Sequence, residues 1–207
     1  VGAKRYDAEG QLAGETRFLG MFTSAAYTRS VTAVPFVRLK VARVMENAGF
    51  DLAGHSAKAL ANVLETYPRD ELFQIDEDTL LDFALQILAL GERPRVRVLV
   101  RPDPFDRYVS VLVFVPRDRY IRGEIGDYLA AAFAGHVSAF YPSFPEGALV
   151  RVHFIIGRAD GATPAPDQAT LEPEVGEIVT DWGDDLAAAI RRRADGEAAE
   201  RGHAAWG

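Results

Sequence analysis

The run Arg95-Val96-Arg97-Val98-Leu99-Val100-Arg101, followed after a Pro102-Asp103-Pro104-Phe105-Asp106 segment by Tyr108-Val109-Ser110-Val111-Leu112-Val113-Phe114-Val115, decides the fold. Valine recurs at every second position in both runs, the period at which β-strand side chains alternate between faces. The Pro-Asp-Pro segment between them has turn chemistry, so the runs predict two half-buried antiparallel strands. Two later runs repeat the period: 137–141, and 149–156 with Val150, Val152, Phe154 and Ile156 set against Leu149, Arg151, His153 and Ile155. Between the pairs, Asp118 is placed to cap a helix carrying Ile121, Ile125, Tyr128, Leu129, Ala132 and Phe133 and ended by Gly135. A last helix is read from Pro173, with Val175, Ile178, Val179, Trp182, Leu186 and Ile190 on one side. The order β-β-α-β-β-α over 94–195 predicts an α+β fold, a ferredoxin-like antiparallel sheet with both helices on one face.

The valine faces must look toward those helices. The opposite face presents Arg95, Arg97, Leu99, Arg101, Ser110, Leu112, Phe114, Arg151, His153 and Ile155. Such a face is too apolar for free solvent and too polar for a core, so another domain or subunit is expected to cover part of it. Arg97, Leu99, Leu112, Phe114, Arg151 and His153 are the candidate interface residues; the plainer alternative is a solvated face with scattered apolar residues.

Upstream, residues 1–28 alternate and turn at Asp7-Ala8-Glu9-Gly10, which predicts a hairpin with Gly10 at positive φ. A lone hairpin buries too little to stand by itself, so it is read as the remnant of a preceding domain. From Thr32 the period becomes helical: Val37, Val41, Val44 and Ala48 share a face after Pro35, and Gly49 closes the helix. A second helix spans about Ser56 to Thr66 and ends at Pro68. A third opens with Asp76, Glu77 and Asp78, acids suited to a helix N-terminus, and stops at Gly91 and Pro94. The expected organisation is therefore a hairpin (1–28), a helical connector (29–93), the sheet domain (94–195) and a tail (196–207). Low complexity is confined to Arg158–Ala169, read as a loop, and to that tail. The start at Val1 in a strand pattern, with Met21 and Met45 both internal, suggests a piece of a longer polypeptide.

The 207 residues are 48% apolar and 26% charged, and contain no cysteine. That composition excludes collagen-like and disulfide-scaffold classes, along with thiol nucleophiles and cysteine metal sites. The longest apolar runs, such as Val109 to Val115, are far below the ~20 residues of a membrane helix, and no signal pattern opens the chain. A soluble, cytoplasmic protein is expected. The net charge is -7, and only residues 94–158 are mildly basic, with nine basic and six acidic groups. This argues against a nucleic-acid surface. Val109–Val115 also lacks the glycine and stacked aromatics of RNA-recognition strands.

No catalytic constellation stands out in the sequence. Gly123, Gly126 and Gly135 have the wrong spacing for a dinucleotide loop, and no P-loop is present. His55, His136, His153 and His203 have no zinc-ligand spacing. Asp76–Asp78 and Arg191–Arg193 are explained by helix-end electrostatics. No catalytic, cofactor-binding or metal residue is assigned.

Three strings go beyond periodicity: Phe18-Leu19-Gly20-Met21-Phe22-Thr23-Ser24-Ala25-Ala26-Tyr27 with Pro35 and Lys40; Leu64-Glu65-Thr66-Tyr67-Pro68-Arg69-Asp70-Glu71-Leu72-Phe73-Gln74; and Val115-Pro116-Arg117-Asp118-Arg119-Tyr120. They resemble the N-terminal region of the large bacterial NAD-specific glutamate dehydrogenases over about residues 1–158. The resemblance implies a non-catalytic regulatory and assembly segment of an oligomeric enzyme that oxidises L-glutamate to 2-oxoglutarate. NAD would be bound elsewhere in the parent chain. It further implies a PAS-like domain ending at 1–28 and an ACT-like domain at 94–195, whose partners are other domains and subunits. An ACT-type module binding an amino-acid effector is the alternative reading. The strand order departs from the usual ACT order as though the last strand had moved to the front. If an effector site survives, it is formed by Arg117, Asp118 and Arg119 at the helix entrance, with Arg117 and Arg119 the candidates to hold a carboxylate; the alternative is that Asp118 caps the helix and the arginines make surface or interdomain ion pairs.

Overall fold

The structure, a computed structural model, describes residues 2–17, 20–21, 23–117, 122–145, 147–158 and 163–179. Strands β1 (Gly2–Tyr6) and β2 (Leu12–Arg17) form an antiparallel hairpin, and Gly10 in its turn has φ 79°. A short helix α1 (Ser24–Thr28) and a 3-10 turn at Val31–Ala33 lead into α2 (Val37–Asn47), α3 (His55–Thr66), α4 (Arg69–Gln74) and α5 (Glu77–Glu92). Gly49 after α2 takes φ 67°, the left-handed conformation its position requires. At α5, Asp76 caps the helix by accepting from the Thr79 N–H at 2.8 Å, with Glu77 and Asp78 in the first turn. Helix α4 lies beyond the Pro68 stop read from the sequence.

Strands β3 (Arg97–Pro102), β4 (Tyr108–Pro116), β5 (Gly135–Ser143) and β6 (Leu149–Arg158) make one sheet in the order β3-β4-β6-β5, with every neighbouring pair antiparallel. Helix α6 (Arg122–Ala132) connects β4 to β5, and α7 (Gln168–Val179) follows β6. In a β-α-β-β-α-β sandwich the edge place beside the first strand belongs to the last strand. Here β3 occupies it and comes first in the chain. The strand order is thus that of a ferredoxin-like fold with its final strand moved to the front.

Two boundaries differ from the expectations. Helix α7 begins at Gln168, not Pro173, because Asp167 accepts from the Thr170 N–H at 2.8 Å and starts the helix inside the stretch read as loop. After α6 the residue at positive φ is Ala134 (48°), not Gly135. Gly135 is needed for another reason: a Cβ there would lie 2.2 Å from the Gly157 carbonyl oxygen on β6. Residues 118–121, including the expected cap Asp118, lie outside the described residues. So do Trp182, Leu186, Ile190 and the tail.

The two faces of the sheet bury different things. Val98, Val109, Val111, Val113, Val150, Val152, Phe154 and Ile156 pack with Ile125, Leu129 and Phe133 of the α6 segment and with Leu171, Val175 and Val179 of α7. Leu99, Leu112 and Phe114 on the other face join a core made by Val37, Leu60, Leu64, Leu72, Leu80 and Leu90 of the upstream helices. The helical segment of the same chain therefore covers the mixed face, and the sheet is a middle layer.

Candidate functional site at the helix–sheet interface

Polar groups of the mixed face meet the helical layer around α4. Pro68 breaks the chain direction after α3, and Asp70 and Glu71 fall in the first turn of α4, where the helix dipole favours acids. The Glu71 side chain is 2% exposed and that of its partner Arg101, on β3, 7%. Both carboxylate oxygens are used: Oε1 accepts from Arg101 Nε, and Oε2 from Nη2 at 2.9 Å. This fork geometry is the strongest form of the pair. Burial works against the Arg101 charge, but the bonds to Glu71 outweigh it and raise its pKa. Lys40, reaching over from α2, donates to the Leu72 and Ile75 carbonyls and so fixes the C-terminal end of α4. Its own pKa is lowered by burial.

His153 on β6 shares a 2.8 Å hydrogen bond with the Ser110 hydroxyl of β4, through the same Nε2 that lies 3.9 Å from Glu71. Burial pushes the imidazole pKa down, with Glu71 opposing. The trio is not a nucleophilic triad: the acid faces the nitrogen already bound to serine, and its oxygens are committed to Arg101. Ser110 is also buried, at 2% exposed. Burial pushes the Tyr67 hydroxyl well up, and it has no hydrogen-bond partner among the described residues. A surface cleft of about 310 Å³ opens beside this cluster, lined by Asp70, Gln74, Arg107, Tyr108 and Tyr141 among others.

Of the candidate interface residues, Leu99, Leu112 and Phe114 sit in the helical core, and His153 sits beside Glu71. Arg151 Nη1 donates to the Thr66 carbonyl at 2.7 Å. Arg97 turns to the sheet edge, where Glu172 of α7 lies 3.2 Å away and also accepts from the Val98 N–H. Arg117 belongs to a different place. Its N–H donates to the Ala148 carbonyl at 2.9 Å, its guanidinium donates to the Pro145 carbonyl and lies over the Phe144 ring. Asp118 and Arg119 lie outside the described residues. Sequence reasoning missed Glu71, Lys40 and Tyr67. Glu71 and Tyr67 stand in the quoted string Leu64–Gln74, but α4 is too short to show a helical period.

No group of acids and histidines among the described residues could hold a metal ion. Among the described residues the four-stranded sheet is antiparallel throughout, so it lacks the parallel switch point at which doubly wound sheets bind a dinucleotide.

A circularly rearranged ferredoxin-like sheet, backed by two helices and capped by a helical layer, defines an ACT-like class of domain. Residues 34–93 match the family model of the glutamate dehydrogenase helical motif 1, and residues 97–183 that of the glutamate dehydrogenase ACT2 domain. The chain is 41% identical over 190 residues to the NAD-specific glutamate dehydrogenase of Halomonas elongata, covering 90% of this chain and 12% of that protein. Against the Pseudomonas aeruginosa enzyme of the same name it is 39% identical over 193 residues, or 92% and 12%. Against that of Mycobacterium tuberculosis it is 32% identical over 145 residues, or 69% and 9%. The chain belongs to the NAD-specific glutamate dehydrogenase family, of which it spans 12% of the length in the first two relatives.

Proposed function

We propose that this segment is a non-catalytic regulatory and assembly unit of a cytoplasmic, homo-oligomeric NAD-dependent glutamate dehydrogenase. The whole enzyme would convert L-glutamate, NAD and water to 2-oxoglutarate, ammonia and NADH, with NAD held outside this segment. Residues 1–28 are read as the last strands of a preceding domain, 29–93 as connector and 94–195 as the regulatory sheet domain. One observation carries the reading: the groups that could do chemistry, Glu71, Arg101, Ser110 and His153, are buried and spent on one another at the helix–sheet interface. They join layers, and among the described residues their bonds run to one another across the helix–sheet interface. An amino-acid effector at Arg117 is less favoured, because that guanidinium already holds the β5–β6 connection.

The test is kinetic. The isolated segment, mixed with glutamate and NAD, should produce no NADH above background. Full-length protein lacking residues 34–179 should lose its assembly state or its response to effectors. Turnover by the segment, or a deletion with assembly and response intact, would overturn the proposal.

A further inference from the structure

Three arginines in the interface region have a carboxylate partner: Arg101 has Glu71, Arg97 has Glu172, and Arg69 has Glu65. Arg151 has none among the described residues. One Nη donates to the backbone carbonyl of Thr66, and its Nε is buried without a partner. Burial lowers its pKa, opposed only by the Tyr67 hydroxyl. A cation taken out of water without an anion is costly, and an apolar residue would serve packing at least as well.

Arg151 also lines a cleft. A half-open volume of about 360 Å³ lies between α3, α5 and the start of β6, within the size range of small-molecule sites. Its walls are apolar, made by Val63, Ile87, Leu88, Leu90, Phe114 and Leu149, and Arg151 is the one charged group among the described lining residues. Asn62 and Thr66 add polar atoms beside it. A lone cation in an apolar cleft selects a ligand with a single anionic end and an apolar body. We propose that this cleft binds a short aliphatic monocarboxylate, its carboxylate on Arg151 and its hydrocarbon against Leu88, Leu90 and Phe114. The site lies between the two layers, so a bound acid would touch both. It rests on the geometry of the segment and not on the regulatory reading.

Calorimetric titration of the full-length protein with 4-methylpentanoate tests this. Saturable binding is expected, weakened about ten-fold or more when the probe is the uncharged 4-methylpentanamide or when the protein carries Arg151→Gln. Ala59→Trp, which fills the cleft and leaves Arg151 in place, should abolish binding and guards against misfolding of the first variant. Absence of saturable binding to the acid, or equal binding by the amide, overturns the site. Tighter binding of leucine than of 4-methylpentanoate overturns the ligand class. Binding of the acid with glutamate oxidation unchanged supports the site while counting against a sensing role, so the two readings fail separately.

Discussion

Glu71 and Arg101 form a pair that is cheap to keep and expensive to halve. Glu71→Gln leaves the Arg101 cation buried without its anion and is expected to lower stability by about 3–5 kcal/mol, read from denaturant unfolding. The double replacement Glu71→Met with Arg101→Met should recover much of that loss, because an apolar pair of similar size needs no charge compensation. A double variant that loses as much as the two single replacements added together would show that the two side chains are not coupled. Stability should also fall in acid, in two windows. The pKa of His153 is lowered by burial from 6.5, so below that pH the unfolded chain takes up a proton the folded chain refuses, and stability drains as pH falls. Asp103 is held at about 2, first by the Arg107 guanidinium and then by the Arg107 and Phe105 N–H groups. Its contribution is whole above the ordinary value of 3.8 and is lost as pH falls from there toward 2. His153→Gln should flatten the upper window alone; an unchanged slope between about pH 7 and 5 would remove His153 as its source.

Helix α6 crosses its sheet closely at one glycine. A Cβ on Gly126 would lie 3.3 Å from Val137 Cγ2 and 3.5 Å from Phe154 Cε1, whereas nothing stands within 4 Å of one on Gly123. Gly126→Leu should therefore destabilise by about 1–3 kcal/mol through overpacking. Gly123→Ala should instead stabilise by ~0.5–1 kcal/mol through helix propensity. Unfolding midpoints that move in the same direction would contradict the packing of α6. The elements with long periods were legible in the sequence: the valine strands, α2, α3 and α5 could be read from spacing alone. Helix α4 could not, because its six residues make under two turns, and what holds it is Lys40, 32 residues from the Leu72 carbonyl it grips. The start of α7 was hidden for a different reason. Its cap, Asp167, sits among prolines, whose local signal reads as loop.

The helical layer and the sheet share one core, and so should melt together. Leu112 is 1% exposed and packs against the helices from the middle of β4. Leu112→Ala is expected to cost about 2–5 kcal/mol, with probes on α3 and on β6 reporting the same transition. Separate transitions would mean that the layers are independent. That the mixed face is covered was legible from its arginines and leucines lying side by side. Which element covers it was not, since the deciding pair, Glu71 and Arg101, is 30 residues apart and neither residue announces its partner.

The outer edge of β3 is blunted. Glu172 occupies the Val98 amide, and Pro102, two pleats on, has no amide to offer. The opposite border, β5, pairs with β6 alone among the described strands, and it is interrupted as well: Pro142 has no amide to offer and the register slips between Val137 and Ala139. Neither margin therefore offers an unbroken row of amides to a further strand. Copies of this molecule are thus expected to meet through side-chain surfaces, with no continuous ribbon running from one to the next and no route to a fibre.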